Sequence, residues 1–98
     1  MMDYKLSFPD DFTDYEWELE SKGYFNGAVV VCQGDNYRLS FYDPVRLAQE
    51  IEDELSSTAL FMEENLVVVS SVDRVHMEKA VKFLMESGKY KDLKLKSK

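Results

Sequence analysis

Apolar and polar residues alternate along much of the first 42 positions, as they do in β-strands with one buried and one solvent-facing side. A first strand is predicted at residues 4–8, where Pro9 ends it. A second strand is predicted at residues 15–20, where Tyr15, Trp17 and Leu19 alternate with carboxylates. The aromatic and leucine side chains of both strands should therefore face a core.

Two longer strands are predicted next. Residues 26–33 contain the unbroken apolar run 28–32, which is typical of a central strand buried on both faces. The triplet Gly34-Asp35-Asn36 tolerates positive φ and predicts a tight turn. A fourth strand, at residues 37–42, should then pair with the third as a hairpin.

The spacing of apolar residues changes at Asp43-Pro44 from the alternation of strands to the period of a helix. An aspartate carboxylate can cap a helix, and proline fits the first helical position because no amide hydrogen bond is needed there. A helix is therefore predicted from Pro44 to Ser56-Ser57, with its stripe packed on the sheet. The apolar stripe is Leu47, Ala48, Ile51 and Leu55.

The chain between this helix and the next has two apolar runs, at residues 58–62 and 66–69. They predict either a hairpin or a bent loop before a single strand. Ser70 or Ser71 can cap a second helix, which Gly88 should end as a left-handed residue. The predicted core stripe of this helix is Met77, Ala80, Val81 and Leu84.

This order of elements predicts an α+β fold, a two-layer sandwich of a mostly antiparallel sheet with two helices on one face. Residues 1–88 should form a single α+β domain, and residues 89–98 a basic C-terminal tail. The tail alternates lysine with leucine beyond Lys91. It is expected either to fray or to pair as a strand beside the acidic strand 15–20, within one chain or between two copies.

Charge is segregated between these two parts. Residues 1–88 carry eighteen Asp and Glu against seven Lys and Arg, a net charge of −11, whereas residues 89–98 carry five Lys against one Asp. An acidic body repels phosphate, so nucleic-acid binding by it is not expected. The single cysteine, Cys32, indicates a reducing compartment, and no apolar run is long enough for a membrane span, so a cytoplasmic location is expected.

The densest acidic cluster is in the second predicted strand and the turn before it. Acids on alternate strand positions, about 6.8 Å apart, would form a negative ladder on one face. Such a ladder is a docking face for a basic protein, a mimic of nucleic-acid phosphate, or a solvated surface. It is a poor metal site, because the side chains diverge instead of pointing at one ion. It is also a poor glycosidase site, because equally exposed carboxylates give no reason for the pKa of one to rise while its partner stays ionised. The cluster is Asp10, Asp11, Asp14, Glu16, Glu18 and Glu20, with Tyr24 and Phe25 predicted as neighbouring exposed aromatics.

One junction has the geometry of a small-anion site. Arg38 and Tyr42 share a strand face, and Arg46 lies in the first turn of the following helix, whose N-terminus attracts anions. Asp43 would compete for the same amides as a cap, so a structural salt bridge is the other interpretation.

No catalytic residue, metal site or cofactor is predicted, because the single histidine, His76, has no partner nearby in sequence and Cys32 follows a valine run. The function that these patterns favour is a non-catalytic protein-interaction module, of the inhibitor or immunity type, that presents an acidic face. A small-anion or ligand-binding module, or a minor enzyme, at Arg38, Tyr42 and Arg46 is the alternative. Homo-oligomers could form through strand pairing.

Overall fold

A computed structural model describes residues 3–96, as one mixed four-stranded sheet with helices. The strands are β1 (Lys5–Ser7), β2 (Tyr24–Cys32), β3 (Asp35–Tyr42) and β4 (Leu66–Val68). The helices are α1 (Phe12–Tyr15), α2 (Leu19–Lys22), α3 (Pro44–Ser57) and α4 (Arg74–Ser87), with 3₁₀ turns at Glu16–Glu18 and Lys89–Asp92. The sheet order is β1-β2-β3-β4, and only the β3–β4 pairing is parallel among the three. The predicted α+β class is confirmed.

The central hairpin joins β2 to β3 through a two-residue turn. Gln33 and Gly34 have φ values of 54° and 84°, as the mirror-image turns of tight hairpins require. The turn therefore begins one residue before the predicted triplet, and Asp35 already pairs with Cys32. Burial along β2 alternates, so the expectation that its apolar run is buried on both faces is wrong.

The core lies on one face of this sheet. We call this the core face, and the opposite side, which carries Ser40 and Tyr42, the outer face. The core-face strand residues include Phe25, Ala28, Val30, Leu39 and Phe41. Helix α4 packs on them with Met77 and Val81, as predicted, and also with Met85, one turn further on. Helix α4 ends at Gly88, which has the predicted left-handed conformation with φ of 79°.

The predicted second strand is wrong, because residues 12–22 are helical. Phe12, Tyr15 and Leu19 follow the spacing i, i+3 and i+7, which places all three toward the core. Gly23, with φ of 69°, ends α2 and donates its N–H to the carbonyl of Leu19 at 2.8 Å. The two helical segments on the core face are therefore residues 12–22 and α4.

Helix α3 begins as predicted but packs differently. The Asp43 carboxylate accepts a hydrogen bond from the Arg46 N–H at 2.7 Å, and Pro44 occupies the first helical position. No residue of α3 is fully buried, and of its predicted apolar stripe Leu47 and Ile51 are half-buried. The stripe belongs to no part of the core, and Leu55 is exposed.

The connection from α3 to α4 contains one strand. Residues 58–65 form a bent loop, and only β4 follows, which rules out the predicted hairpin. The N-cap of α4 is Asp73 instead of Ser70 or Ser71, because the Asp73 carboxylate accepts a hydrogen bond from the His76 N–H at 2.8 Å. His76 Nδ1 lies 2.7 Å from the same oxygen, so the histidine belongs to the cap.

The C-terminal tail docks on β3 and not beside residues 15–20. The Lys94 N–H donates to the Asn65 side-chain oxygen at 2.7 Å, and the Lys96 N–H donates to the Asn36 carbonyl at 2.8 Å. The tail thus covers the part of the β3 edge that the short β4 leaves open. Ser97 and Lys98 of the predicted tail lie outside the described residues, as do Met1 and Met2 of the predicted domain.

Candidate functional site

The predicted acidic ladder does not form, because its residues lie on helical turns. Successive helical residues are about 100° apart, so acids at alternate positions point to different sides. Glu16 pairs with Arg74, and Glu18 pairs with Lys22 at 3.1 Å. Within residues 3–96, the cluster members without an ion pair are Asp10, Asp11, Asp14 and Glu20.

Trp17 is the exposed aromatic of this acidic segment. Its exposed fraction is 76%, although the sequence pattern placed it in the core. Trp17 lies in the 3₁₀ turn Glu16–Glu18, and Asp14 and Glu20 are three residues before and after it in the chain. Tyr24 and Phe25, which were predicted to be exposed, are half-buried and 7% exposed respectively. Their strand β2 pairs directly with β3, so both side chains have a neighbour across the ladder.

An arginine clamp fixes the acidic segment to α4. The Arg74 guanidinium donates two hydrogen bonds to the Glu16 carboxylate, at 2.8 and 2.9 Å, in the planar arrangement that arginine favours. The same guanidinium lies 5.1 Å from the ring centroid of Phe8 and 4.9 Å from that of Phe12. The hydrogen bond from Arg74 holds the pKa of Glu16 below its ordinary value. The segment that carries Trp17 is therefore held in place by both charge and aromatic contacts.

A second polar cluster lies on the outer face. The Tyr42 hydroxyl donates to Glu63 at 3.0 Å, and the Ser40 hydroxyl donates to the other carboxylate oxygen at 2.9 Å. The centroid of the Tyr42 ring lies 4.7 Å from that of Tyr24 and 6.4 Å from that of Phe61, which it meets edge-on. Burial raises the pKa of Tyr42, and its hydrogen bond to Glu63 raises it further.

The protein's own carboxylates occupy part of the predicted anion site, while the buried Arg46 Nε has no hydrogen-bond partner among the described residues. Arg46 pairs with Glu50 at 2.6 Å, and Asp43 caps α3. Tyr42 is bound to Glu63, while the exposed Arg38 has no carboxylate within salt-bridge distance in the described chain. The Arg46–Glu50 pair therefore favours the interpretation of this junction as a structural salt bridge over that of an open anion site.

The Tyr42–Glu63 contact predicts a specific response to alkaline pH. A phenol whose folded pKa is raised contributes stability that is complete below its unfolded pKa of about 10 and is lost as pH rises through the folded pKa. We expect Tyr42→Phe to lower the free energy of unfolding by about 1–2 kcal/mol at pH 7. This difference should shrink above pH 10, because the variant lacks the ionising phenol. Urea unfolding followed by circular dichroism between pH 7 and 11 measures both values.

Ser40→Ala is the matched control. It removes the other hydrogen bond to Glu63 but no ionising group, so its difference from the wild type should stay constant over the same pH range. If the Tyr42→Phe difference also stayed constant above pH 10, the assignment of alkaline sensitivity to this contact would be wrong.

Comparisons with known proteins give no match: no family model, no curated protein and no solved structure matches the chain. In the part of the chain that the structure describes, no helix is long and apolar enough to cross a membrane. Among these same residues, no group of three or more His, Cys, Asp or Glu side chains could hold a metal ion.

The exposed Trp17 was missed because the alternation of residues 15–19 fits a strand as well as a helix. The spacing of Phe12, Tyr15 and Leu19, the Glu18–Lys22 pair at i and i+4, and Gly23 together indicate a helix. Weighing these three signals together would have placed Trp17 on the solvent side.

Proposed function

We propose that this protein is a non-catalytic protein-interaction module that presents the acidic surface around Trp17 to a basic protein. The observation that carries the proposal is a tryptophan with 76% of its surface exposed in an acidic segment whose Asp14 and Glu20 have no ion pair among the described residues. Tryptophan is among the residues most enriched at binding hot spots, and isolated exposure of this size is unusual for it.

The acidic surroundings suit a basic partner. Asp10, Asp11, Asp14 and Glu20 add negative charge to a chain whose formal net charge is −7. Complementary charge mainly accelerates association and selects partners, whereas a desolvated aromatic anchor slows dissociation. We therefore assign steering to the acids and most of the affinity to Trp17.

The outer-face cluster supports a non-catalytic function. The Tyr42 phenol is made less acidic by burial and by Glu63, and Ser40 donates to that carboxylate instead of to a histidine base. Glu63 binds the Tyr42 hydroxyl and Glu50 binds one terminal nitrogen of Arg46, and these carboxylates would repel an anion, which gives the alternative of a small-anion or ligand site less support. Cys32 is a buried free thiol, which fits the cytoplasm as the proposed location.

The test combines affinity capture with the fluorescence of Trp17, the only tryptophan of the chain. Immobilised wild-type protein, Trp17→Ala and the double variant Asp14→Lys/Glu20→Lys are each used to capture proteins from a lysate at low and high salt. An interactor retained by the wild type alone is purified and titrated against it. We expect a change in Trp17 emission on binding and an affinity loss of about 30-fold for Trp17→Ala.

Two variants on other elements serve as controls. Phe83→Ala removes an exposed aromatic from α4, and Glu52→Lys/Asp53→Lys makes the same charge change on α3 as the double variant. Both should retain the interactor. Equal binding by Trp17→Ala and the wild type, or equal loss with the α3 charge variant, would exclude this surface as the binding site.

A further inference from the structure

A groove runs along the free edge of β1. An open cavity of about 580 Å³ lies between β1 and α4, and a second, of about 510 Å³, lies toward Pro9 and Phe12. Lys5 and Leu6 line both cavities, so the two follow the same strand. In the described sheet β1 is an edge strand that pairs with β2 only.

The edge of β1 has backbone groups available for a partner. In an antiparallel pair, alternate N–H and C=O groups of an edge strand point away from its neighbour. In residues 3–96 no second strand bonds to β1, and the residues of β1 line the two cavities. An extended peptide could pair with this edge as a fifth strand, which is a common mode of peptide recognition.

The groove is basic although the protein as a whole is acidic. Lys79 and Lys82 line its α4 side, and Lys5 lines its β1 side. Because Tyr4, Leu6 and Phe8 pack against the core, the Lys5 side chain points to the outer face of the sheet. None of the three lysines has a carboxylate within 4.0 Å among the described residues. The lining carboxylates are Glu78 in the first cavity and Asp10 in the second. Arg74, at the second cavity, is paired with Glu16. The free cations of the groove thus favour acidic side chains on a bound peptide.

Apolar side chains form the floor between these lysines. Leu6 and Val81 pack in or against the core, and Val75 is 56% exposed at the wall that α4 provides. Because successive side chains of a strand point to opposite faces, one set of a bound strand would face α4, where Lys79 and Lys82 border this floor, and the other set would face the side of Lys5.

We propose that this groove binds an extended acidic segment of a partner protein by strand addition to β1. A second copy paired through β1 fits less well, since it would bring the same lysines of both copies together. The two surfaces share Asp10, which lines the second cavity, but Trp17 lies outside both cavities and Lys79 and Lys82 lie outside the Trp17 surface. The proposal therefore goes beyond the proposed function, and the Lys79/Lys82 and Trp17 variants test the two independently.

The experiment uses the full chain, labelled with ¹⁵N, and an acetylated heptapeptide of alternating Glu and Val as the probe. We expect saturable amide shift changes at Lys5–Ser7 and at residues 75–82 of α4, with little change at Trp17. The same heptapeptide with alternate backbone nitrogens methylated lacks the donors of one edge. It should bind at least about tenfold more weakly if backbone pairing contributes.

Charge variants test the lysines. Lys79→Glu/Lys82→Glu should weaken binding of the acidic peptide at least about tenfold, whereas Lys89→Glu/Lys91→Glu, with the same charge change outside the groove, should change it less than about twofold. Lys79→Gln/Lys82→Gln repeats the test if the charge reversal disturbs α4.

Three outcomes would overturn the proposal. The first is the absence of shifts at Lys5–Ser7 at millimolar peptide, and the second is equal loss of affinity in both double variants, which indicates general charge attraction. The third is a dimer of the free protein whose contacts cover Lys5–Ser7, because a second copy would then be the occupant of the groove.

Discussion

Gly23→Ala is expected to lower the free energy of unfolding by about 3 kcal/mol. Gly23 has φ of 69°, a region that costs an alanine about 1–2 kcal/mol. In addition, a Cβ atom at this position would lie 2.5 Å from the Asp43 carboxylate oxygen Oδ2 and 2.9 Å from the Arg46 Cβ. The substitution therefore adds backbone strain and a steric clash at the same point.

The clash has a further consequence for α3. The Asp43 N–H donates to the Gly23 carbonyl at 2.9 Å, while the Asp43 carboxylate caps the helix through the Arg46 N–H. If Asp43 moves to accommodate a methyl group, the cap weakens, at a cost of about 1 kcal/mol. Because no residue of α3 is buried, the helix has little packing to compensate for a lost cap.

Gly34→Ala separates the two effects. Gly34 also has positive φ, at 84°, but a Cβ atom added there would meet no atom within 4 Å beyond its chain neighbours. Its replacement should cost only the strain of about 1–2 kcal/mol. Urea unfolding of both variants, followed by circular dichroism, measures the difference. Equal losses for the two variants would show that the close approach of Asp43 to Gly23 is unimportant.

Elements with local signals could be predicted from the sequence. The start of α3 follows from the Asp43-Pro44 pair, and the end of α4 from Gly88, because caps depend on a few adjacent residues. Strand β2 follows from an unbroken apolar run and strand β3 from alternation, on the two sides of a turn. In each case the signal and the structure that it specifies lie within a few positions of each other.

Residues 12–22 show where such reasoning fails. Tyr15, Trp17 and Leu19 satisfy a period of two, while Phe12, Tyr15 and Leu19 satisfy a helical period, so the segment fits both structures. The helical arrangement is supported by the Glu16–Arg74 contact, which joins residues 58 positions apart. A contact at that separation depends on the tertiary fold.

The candidate sites were only partly predictable for the same reason. The acids of residues 10–20 were identified by composition, but Trp17 became their exposed neighbour only once the segment was helical. The carboxylate partner of Tyr42 lies 21 residues away, in a loop without regular structure. The β1 groove depends on strand order, which no local pattern specifies.

Asn65 joins three parts of the fold, and its replacement is the second change with a large expected effect. Its side-chain N–H groups donate to the carbonyls of Arg38 and Lys94, at 2.8 and 2.9 Å, and its side-chain oxygen accepts from the Lys94 N–H at 2.7 Å. Its own carbonyl accepts from the Ser40 N–H at 3.1 Å. The residue thus connects β3, the start of β4 and the C-terminal tail.

Three substitutions at this position should differ in a predictable order. Asn65→Ala removes three side-chain hydrogen bonds and leaves a methyl group at φ of 52°, for an expected loss of about 3 kcal/mol. Asn65→Gly loses the same hydrogen bonds, but glycine adopts positive φ without backbone strain. It should therefore lower the free energy of unfolding by about 1 kcal/mol less than Asn65→Ala does. Asn65→Asp should lower the free energy of unfolding at least as much as Asn65→Ala does. Its second carboxylate oxygen would take the place of the amide nitrogen and would face the two carbonyl oxygens to which that nitrogen donates. If glycine proved as harmful as aspartate, the specific pairing would not be the cause.

A double-mutant cycle with a chain that ends at Leu93 isolates the contribution of the tail. In the shortened chain Asn65 keeps only its side-chain bond to Arg38, so Asn65→Ala should cost about 1 kcal/mol less than in the full chain. Amide hydrogen exchange in the full-length Asn65→Ala variant should accelerate at Lys94, which loses its acceptor, and at Lys96, which donates to Asn36 in the same docked segment. Identical costs of Asn65→Ala in both chains would mean that the tail is not held by Asn65. The docking of the tail on β3 would then depend on the Lys96–Asn36 hydrogen bond instead.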